Sequence, residues 1–140
     1  MAKSSPLILV EDDVEDQLLI REAVESIDPT RHLIIFDNGD AVIRYLLETT
    51  DKPFLIICDI NMPKMDGLTV RKKINDNPIL RNKSIPFVFF STTASSDAVT
   101  TAYEMTVQGF FVKPSTFSEL TKILTQLIDY WKVCKHPNMI

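Results

Sequence analysis

The stretch Phe54-Leu55-Ile56-Ile57-Cys58, followed by Asp59, is a continuous apolar run that ends at an acid. An unbroken run of this length is typical of a strand buried on both faces, as parallel sheets require. Four similar runs lie elsewhere in the chain, at residues 7–10, 33–36, 87–90 and 110–112. The sequence therefore predicts five strands of one buried sheet.

Segments with helical spacing of apolar residues separate these runs. In the last segment, three- and four-residue steps connect Leu120, Ile123, Leu124, Leu127, Ile128 and Trp131. Its start has Thr116 and Glu119 at capping-box spacing. In the first segment, Leu19, Ala23 and Ile27 are four residues apart and share one face. The alternation predicts an α/β fold: a doubly wound five-stranded parallel sheet with five helices on its two faces. Residues 77–86 are expected to form an ordered surface loop.

Length and composition limit the possible functions. The 140 residues fit one domain, which we place at 1–132, with a short tail at 133–140. The net charge of −4 predicts no direct binding to nucleic acid. No apolar run has membrane-spanning length and the first six residues lack a signal peptide's apolar core, so we expect a cytoplasmic protein without membrane contact. Cys58 and Cys134 predict neither a disulfide framework nor a zinc site.

Polar residues follow four of the predicted strands. In an open α/β sheet, ligands bind outside the carboxyl ends of the strands. The residues delivered to this edge are Glu11, Asp12 and Asp13 after the first strand, Asp59 after the third, Ser91 after the fourth and Lys113 after the fifth. Four strands thus place acids, a hydroxyl and a lysine at one edge.

Each of these residues, taken alone, has a purely structural explanation. The acids after the first strand could cap the first helix, and Asp59, Ser91 and Lys113 could be ordinary turn and strand-end residues. Their coincidence at one edge favours a site instead. Crowded carboxylates raise each other's pKa unless a charge neutralises them, and Mg²⁺ is a suitable cation. With Lys113 and Ser91 as donors, the site suits a transferring phosphoryl group, and Asp59 is placed to act as nucleophile.

The chain resembles the response-regulator receiver domain from Leu7 to about Trp131. The shared motifs are LVEDD at residues 9–13, DINMPKMDG at 59–67, STT at 91–93 and GFFVKP at 109–114. The resemblance implies the flavodoxin-like strand order 2-1-3-4-5. It also implies a signalling switch that accepts a phosphoryl group from a histidine kinase.

The resemblance assigns roles position by position. Asp59 becomes the phosphoacceptor and a magnesium ligand. Asp12 binds the metal directly, Glu11 acts through water, and Asn61 contributes its backbone carbonyl. Asp13 is expected to cap the helix rather than bind metal.

The remaining roles concern the response to phosphorylation. Ser91 is expected to bond a phosphoryl oxygen, Lys113 to hold the phosphoryl group, and Phe110 to act as an aromatic switch through ring packing. The Lys113–Pro114 bond is cis in the family. At a strand end, Lys113→Ala is expected to largely spare folding.

The resemblance also implies how the signal leaves. Such a protein is no metabolic enzyme and has only weak self-phosphorylation and self-dephosphorylation activity. It acts on a downstream protein, passes the phosphoryl group onward, or forms a homodimer through its last two helices and fifth strand. The 77–86 loop and single-domain build resemble regulators paired with phytochrome-type kinases.

Several alternatives stay open at this point. A binding module of the same fold could work without phosphorylation. A haloacid-dehalogenase-type phosphatase also uses an aspartyl nucleophile, but requires a second Asp where Asn61 stands. Asp66-Gly67 could shape the edge of the site or form a plain turn. Residues 95–106 are weak helix formers, which fits either a helix that shifts on phosphorylation or one held by tertiary packing.

Overall fold

The five predicted strands form one parallel sheet in order β2-β1-β3-β4-β5. The structure, a computed structural model, describes residues 5–135. The strands are β1 (Leu7–Val10), β2 (Leu33–Phe36), β3 (Leu55–Asp59), β4 (Phe87–Ser91) and β5 (Gly109–Val112). Their bounds agree with the apolar runs to within one residue, which confirms the predicted sheet and its order.

The described residues contain six helices, so the prediction of five is wrong. The helices are α1 (Val14–Ile27), α2 (Gly39–Glu48), α3 (Gly67–Asp76), α4 (Pro78–Asn82), α5 (Ser96–Glu104) and α6 (Phe117–Val133). The additional helix is α4, inside the predicted 77–86 loop. It forms because Asn77 caps the backbone N–H groups of Ile79 and Leu80, and Pro78 occupies the first turn. Leu80, which is buried, then fixes the short helix to the core.

The helices cover both faces of the sheet, as predicted. On one face, α1 and α6 pack against Leu7, Leu9, Leu55, Ile57, Val88 and Phe90. On the other face, α2, α3, α4 and α5 pack against Ile8, Val10, Ile56, Cys58, Phe87 and Phe89. Alternate residues of the same strand enter different cores, because successive side chains point to opposite faces of a sheet. This explains why each strand is a continuous apolar run until its carboxyl end, where Asp59 and Ser91 stand.

The structure differs from the sequence-based expectations at the buried face of α1, at the Lys113–Pro114 bond and at the end of α6. Leu19 is 42% exposed, so the predicted α1 face is only partly correct: Ala23 is buried and Ile27 packs against the core, but Ile20 and Val24 are buried in place of Leu19. The position of α1 over the sheet decides which apolar side chains are covered. No peptide bond within residues 5–135 is cis, so the expected cis Lys113–Pro114 bond is trans. Helix α6 extends one residue beyond the predicted domain end at 132, and residues 136–140 of the predicted tail lie outside the described residues.

Helix α5 is fixed mainly at its carboxyl end. Ala102 is its one buried residue. Beyond the helix, Arg71 of α3 donates from Nε to the Met105 carbonyl at 3.1 Å and from Nη2 to the Thr106 carbonyl at 3.1 Å. Asn75 donates to the same Met105 carbonyl at 2.9 Å. These donors satisfy carbonyls that a helix end leaves free, so α3 holds α5 by tertiary contacts.

Two further observations concern the chain as a whole. No helix among residues 5–135 is long and apolar enough to cross a membrane. Cys58 and Cys134 are both free, and Cys58 is fully buried.

Candidate functional site

The carboxyl ends of β1, β3 and β5 bring three predicted site residues into contact. Glu11 directly follows β1, Asp59 is the last residue of β3, and Lys113 directly follows β5. The Lys113 ammonium lies 2.7 Å from Glu11 Oε1 and 3.5 Å from Asp59 Oδ2. All three side chains are nearly buried, with 12%, 1% and 6% of Lys113, Glu11 and Asp59 exposed. The convergence predicted from the strand ends is therefore present.

Three carboxylates form a compact cluster at this edge. Glu11, Asp12 and Asp59 each offer an oxygen, and the three oxygens lie within 4.8 Å of one another. An all-oxygen, anionic set of ligands fits a hard divalent cation such as Mg²⁺, Mn²⁺ or Ca²⁺. The donor atoms of this cluster therefore match a divalent metal.

Burial shifts the proton equilibria of the site. The pKa of Glu11 is raised to about 7, chiefly because burial disfavours the charged carboxylate; the Lys113 hydrogen bond opposes this, and the charge of Asp59 adds to it. For Lys113, burial alone would lower the pKa. The hydrogen bonds to Asp16 and Glu11 and the charges of Glu11 and Asp59 outweigh burial, and the pKa of Lys113 is raised. The lysine is therefore a permanent cation, whereas Glu11 without a metal binds a proton near neutral pH.

Asp13 has a different role from its two acidic neighbours. Its side-chain oxygen accepts a hydrogen bond from the Asp16 N–H at 3.1 Å, and Asp13 is the N-cap of α1. It is not part of the carboxylate cluster. The structure thus confirms the prediction that Asp13 caps the helix.

Asp16 was missed by the sequence analysis. It lies in the first turn of α1, and its Oδ2 is 2.8 Å from the Lys113 ammonium. The sequence gives only a faint signal, because Asp16 lies in the first turn of the helix that follows the acids at the end of β1. An acid in a first turn is usually explained by the helix dipole, so the contact with Lys113 emerges only from the tertiary structure.

The loop after β3 closes tightly against the phosphoacceptor candidate. The Gly67 N–H donates to the Ile60 carbonyl at 2.8 Å. A Cβ added at Gly67 would overlap the Asp59 carbonyl oxygen, so this position requires glycine for close approach. The exposed Asn61 directs its backbone N–H to Asp59 Oδ1 at 3.4 Å. Gly67 therefore shapes the edge of the site as well as beginning α3.

Ser91 and Phe110 lie on the strands beyond β3. Ser91 ends β4, is 1% exposed, and its carbonyl accepts from the Lys113 N–H at 2.8 Å. Because Asp59 pairs in register with Phe90, Ser91 is one residue further toward the carboxyl end of the neighbouring strand. Phe110 is half-buried on β5, with its ring 6.1 Å from that of Phe89. Ser91 thus lies on β4, the strand next to β3 and its Asp59, and Phe110 lies on β5, the strand beyond β4.

The chain is similar in sequence and in fold to known proteins. The family model of the response regulator receiver domain matches residues 7–125. The response regulator Rcp1 of Synechocystis sp. is 32% identical over 130 residues, covering 89% of this chain and 87% of that protein. The crystal structure of the phosphorylated cyanobacterial phytochrome response regulator RcpA superposes with a TM-score of 0.86 at 28% identity, covering 96% and 99% of the two chains. The Mn²⁺-bound form of Rcp1 gives a TM-score of 0.83 at 29% identity, covering 95% and 99%.

Proposed function

This chain belongs to the response regulator receiver domain family, and from that membership we propose that Asp59 is its phosphoacceptor. Receiver domains are phosphorylation-dependent signalling switches and not enzymes of metabolism. One observation carries the assignment to Asp59: a single buried ammonium, that of Lys113, contacts both Asp59 and Glu11 at the carboxyl edge of the sheet. A phosphoryl group on Asp59 would take its negative charge directly beside that ammonium.

The proposed reaction is phosphoryl transfer from a phosphohistidine of a histidine kinase. An Asp59 carboxylate oxygen attacks phosphorus in line, the P–N bond breaks, and its electron pair returns to the imidazole. Lys113 and the Ser91 hydroxyl supply donors to the phosphoryl oxygens. Hydrolysis of the acyl phosphate resets the switch. In this proposal the protein catalyses only its own phosphorylation and dephosphorylation, and both activities are weak.

We propose Mg²⁺ as the cofactor. Asp12 and Asp59 would hold it directly, Asn61 through its backbone carbonyl, and Glu11 through water. The oxygen-only cluster supports a hard cation, and the Mn²⁺-bound form of Rcp1 supports a divalent metal in a relative. When bound, Mg²⁺ supplies positive charge that offsets the charge of the transferring phosphoryl group.

The proposed output is a surface formed by α5, β5 and α6. Phosphorylation would draw Ser91 toward the phosphoryl group and let the Phe110 ring repack, altering this surface. Exposed apolar residues support a docking role there: Tyr103, Val112, Phe117 and Tyr130 are 51%, 50%, 43% and 58% exposed. The surface would bind a downstream protein or phosphotransfer partner, or a second copy of this chain as a homodimer.

The finer assignments complete the proposal. The phytochrome response regulator RcpA among the similar structures supports a phytochrome-type kinase as the phosphoryl donor. A cytoplasmic location follows from the proposal, because that is where a histidine kinase has ATP as its source of phosphoryl groups. We retain residues 1–132 as the receiver domain and 133–140 as a tail, and no direct contact with nucleic acid or membrane is part of this function.

The test is phosphorylation by acetyl phosphate and Mg²⁺ followed by intact-protein mass spectrometry. We expect one phosphoryl adduct on the parent protein and none on Asp59→Asn. Asp37→Asn is the matched control, because Asp37 is an exposed acid just after β2, outside the carboxylate cluster. An unmodified parent protein, or an adduct that persists in Asp59→Asn, would reject the assignment.

A further inference from the structure

The Lys113 ammonium lies between two kinds of acid. Glu11 and Asp59 belong to the carboxylate cluster that matches a divalent metal, whereas Asp16 does not. The ammonium nevertheless lies as close to Asp16 Oδ2, at 2.8 Å, as to Glu11 Oε1, at 2.7 Å. Among the described carboxylates that form ion pairs with Lys113, Asp16 is therefore the one outside the candidate metal cluster.

Metal binding creates a conflict that Asp16 can resolve. A divalent cation held by Asp12 and Asp59, and by Glu11 through water, would draw on the negative charge that otherwise neutralises Lys113. A metal cation and an ammonium that share neighbouring carboxylates repel each other strongly where water is largely excluded, and the Lys113 side chain is only 12% exposed. Without another anion, the ammonium would be displaced from the position at which it meets a phosphoryl group.

We propose that Asp16 is a positioning residue that holds the Lys113 ammonium at the site while a metal occupies the carboxylate cluster. This inference rests on the proposed function, because it concerns how the same site prepares for phosphoryl transfer. A lysine ammonium has three N–H donors. One bonded to Asp16 leaves two for Asp59 and the phosphoryl oxygens it acquires.

The start of α1 is built rigidly enough for this role. Asp13 caps the backbone N–H of Asp16 at 3.1 Å. One residue further on, Gln17 Nε2 donates to the Glu11 carbonyl at 2.6 Å and joins the first turn of α1 to the end of β1. The Asp16 side chain is 32% exposed, so its carboxylate keeps contact with water while it bonds the lysine.

Glu15 provides a matched control. It is the preceding residue in the same first turn, it carries the same charge, and it is exposed. The ion pairs of Lys113 within the described residues involve Glu11, Asp16 and Asp59 and not Glu15. Asp16→Asn and Glu15→Gln therefore remove equal charge from the same helix end, but only the first removes a partner of Lys113.

The first measurement follows the Lys113 ammonium itself by ¹H–¹⁵N NMR, with the signal assigned by its loss in Lys113→Met. A hydrogen-bonded ammonium exchanges slowly enough with water to be seen. We expect the signal in the parent protein and in Glu15→Gln at saturating Mg²⁺, its loss in Asp16→Asn and Asp16→Ala, and its return in Asp16→Glu. A signal that persists in both Asp16→Asn and Asp16→Ala would overturn the proposal.

The second measurement is Mg²⁺ binding by calorimetry. Because Lys113 is left with only the carboxylates that the metal needs, Asp16→Asn should weaken Mg²⁺ binding about three- to tenfold, and Glu15→Gln by no more than about twofold. Equal affinities in the two variants would contradict the positioning role. The phosphoryl adduct of the parent protein separates the role of Asp16 from the proposed function. If the adduct forms but the Asp16 and Glu15 variants behave alike, only the role of Asp16 fails. If the adduct does not form, the proposed function fails.

Discussion

Replacing Lys113 by alanine should cost stability as well as function. Its position at a strand end predicts that the substitution largely spares folding, but the structure places the Lys113 ammonium among Glu11, Asp16 and Asp59. The side chains of Glu11 and Asp59 are 1% and 6% exposed. Lys113→Ala therefore leaves two buried carboxylates without their cation, which is costly because an unpaired charge keeps its desolvation penalty.

The magnitude depends on pH, because Glu11 can take up a proton. Its pKa is raised by burial from the model-compound value of 4.5 to about 7, and loss of Lys113 removes an interaction that lowers it, so the pKa rises further. Because the pKa of Glu11 is higher in the folded than in the unfolded protein, the stability associated with this group is fully present below the unfolded pKa of 4.5. It is lost as the pH rises through the folded pKa. The variant should thus lose about 1 kcal/mol near pH 5.5 and about 3 kcal/mol near pH 8 relative to the parent protein.

The assay is urea unfolding of the metal-free protein across that pH range, followed by circular dichroism. Lys122→Ala is the control, because Lys122 is an exposed lysine of α6 outside the site, and it should change stability little at any pH. If Lys113→Ala loses the same free energy of unfolding at pH 5.5 and at pH 8, the reasoning is refuted, because protonation of Glu11 would then not determine the size of the loss. At pH 8 the phosphorylated variant should also bind its partner no better than the unphosphorylated one.

Three further predictions concern Gly67, Arg71 and Glu11. Gly67→Ala should destabilise the fold by about 1–3 kcal/mol and slow adduct formation, because the new methyl group overlaps the Asp59 carbonyl; an unchanged acetyl phosphate rate would contradict this. Arg71→Met should reduce unfolding free energy by about 1–2 kcal/mol and speed amide exchange in α5, because the Met105 carbonyl loses a donor. Amide exchange in α5 equal to that of the parent protein would argue that Arg71 does not hold the end of α5. Mg²⁺ affinity should fall as pH drops from 8 to 6, because the metal must displace the proton from Glu11, and calorimetry at the two pH values would show a constant affinity if this is wrong.

Much of the fold could be predicted from local pattern. The apolar runs gave strands within one residue of their observed bounds, because a strand buried on both faces leaves no room for polar residues. The short helix α4 was missed because five residues are too few for a hydrophobic period, although the cap at Asn77 and the proline after it were visible. The exposed Leu19 shows the converse limit: helical spacing identifies apolar stripes, but the position of α1 over the sheet decides which stripe is buried.

The sequence by itself determined which residues reach the edge of the site, because parallel strands end together and whatever follows Val10, Cys58 and Val112 must lie there. It also determined the chemistry available, since the acids, the hydroxyl and the lysine are fixed by residue type. Only the tertiary structure decided which side chains meet: that Lys113 contacts Glu11 and Asp16 more closely than Asp59. The reason is physical: strand placement follows from local hydrophobic pattern, whereas the pairing of charges depends on side-chain directions and burial that arise when separate elements pack.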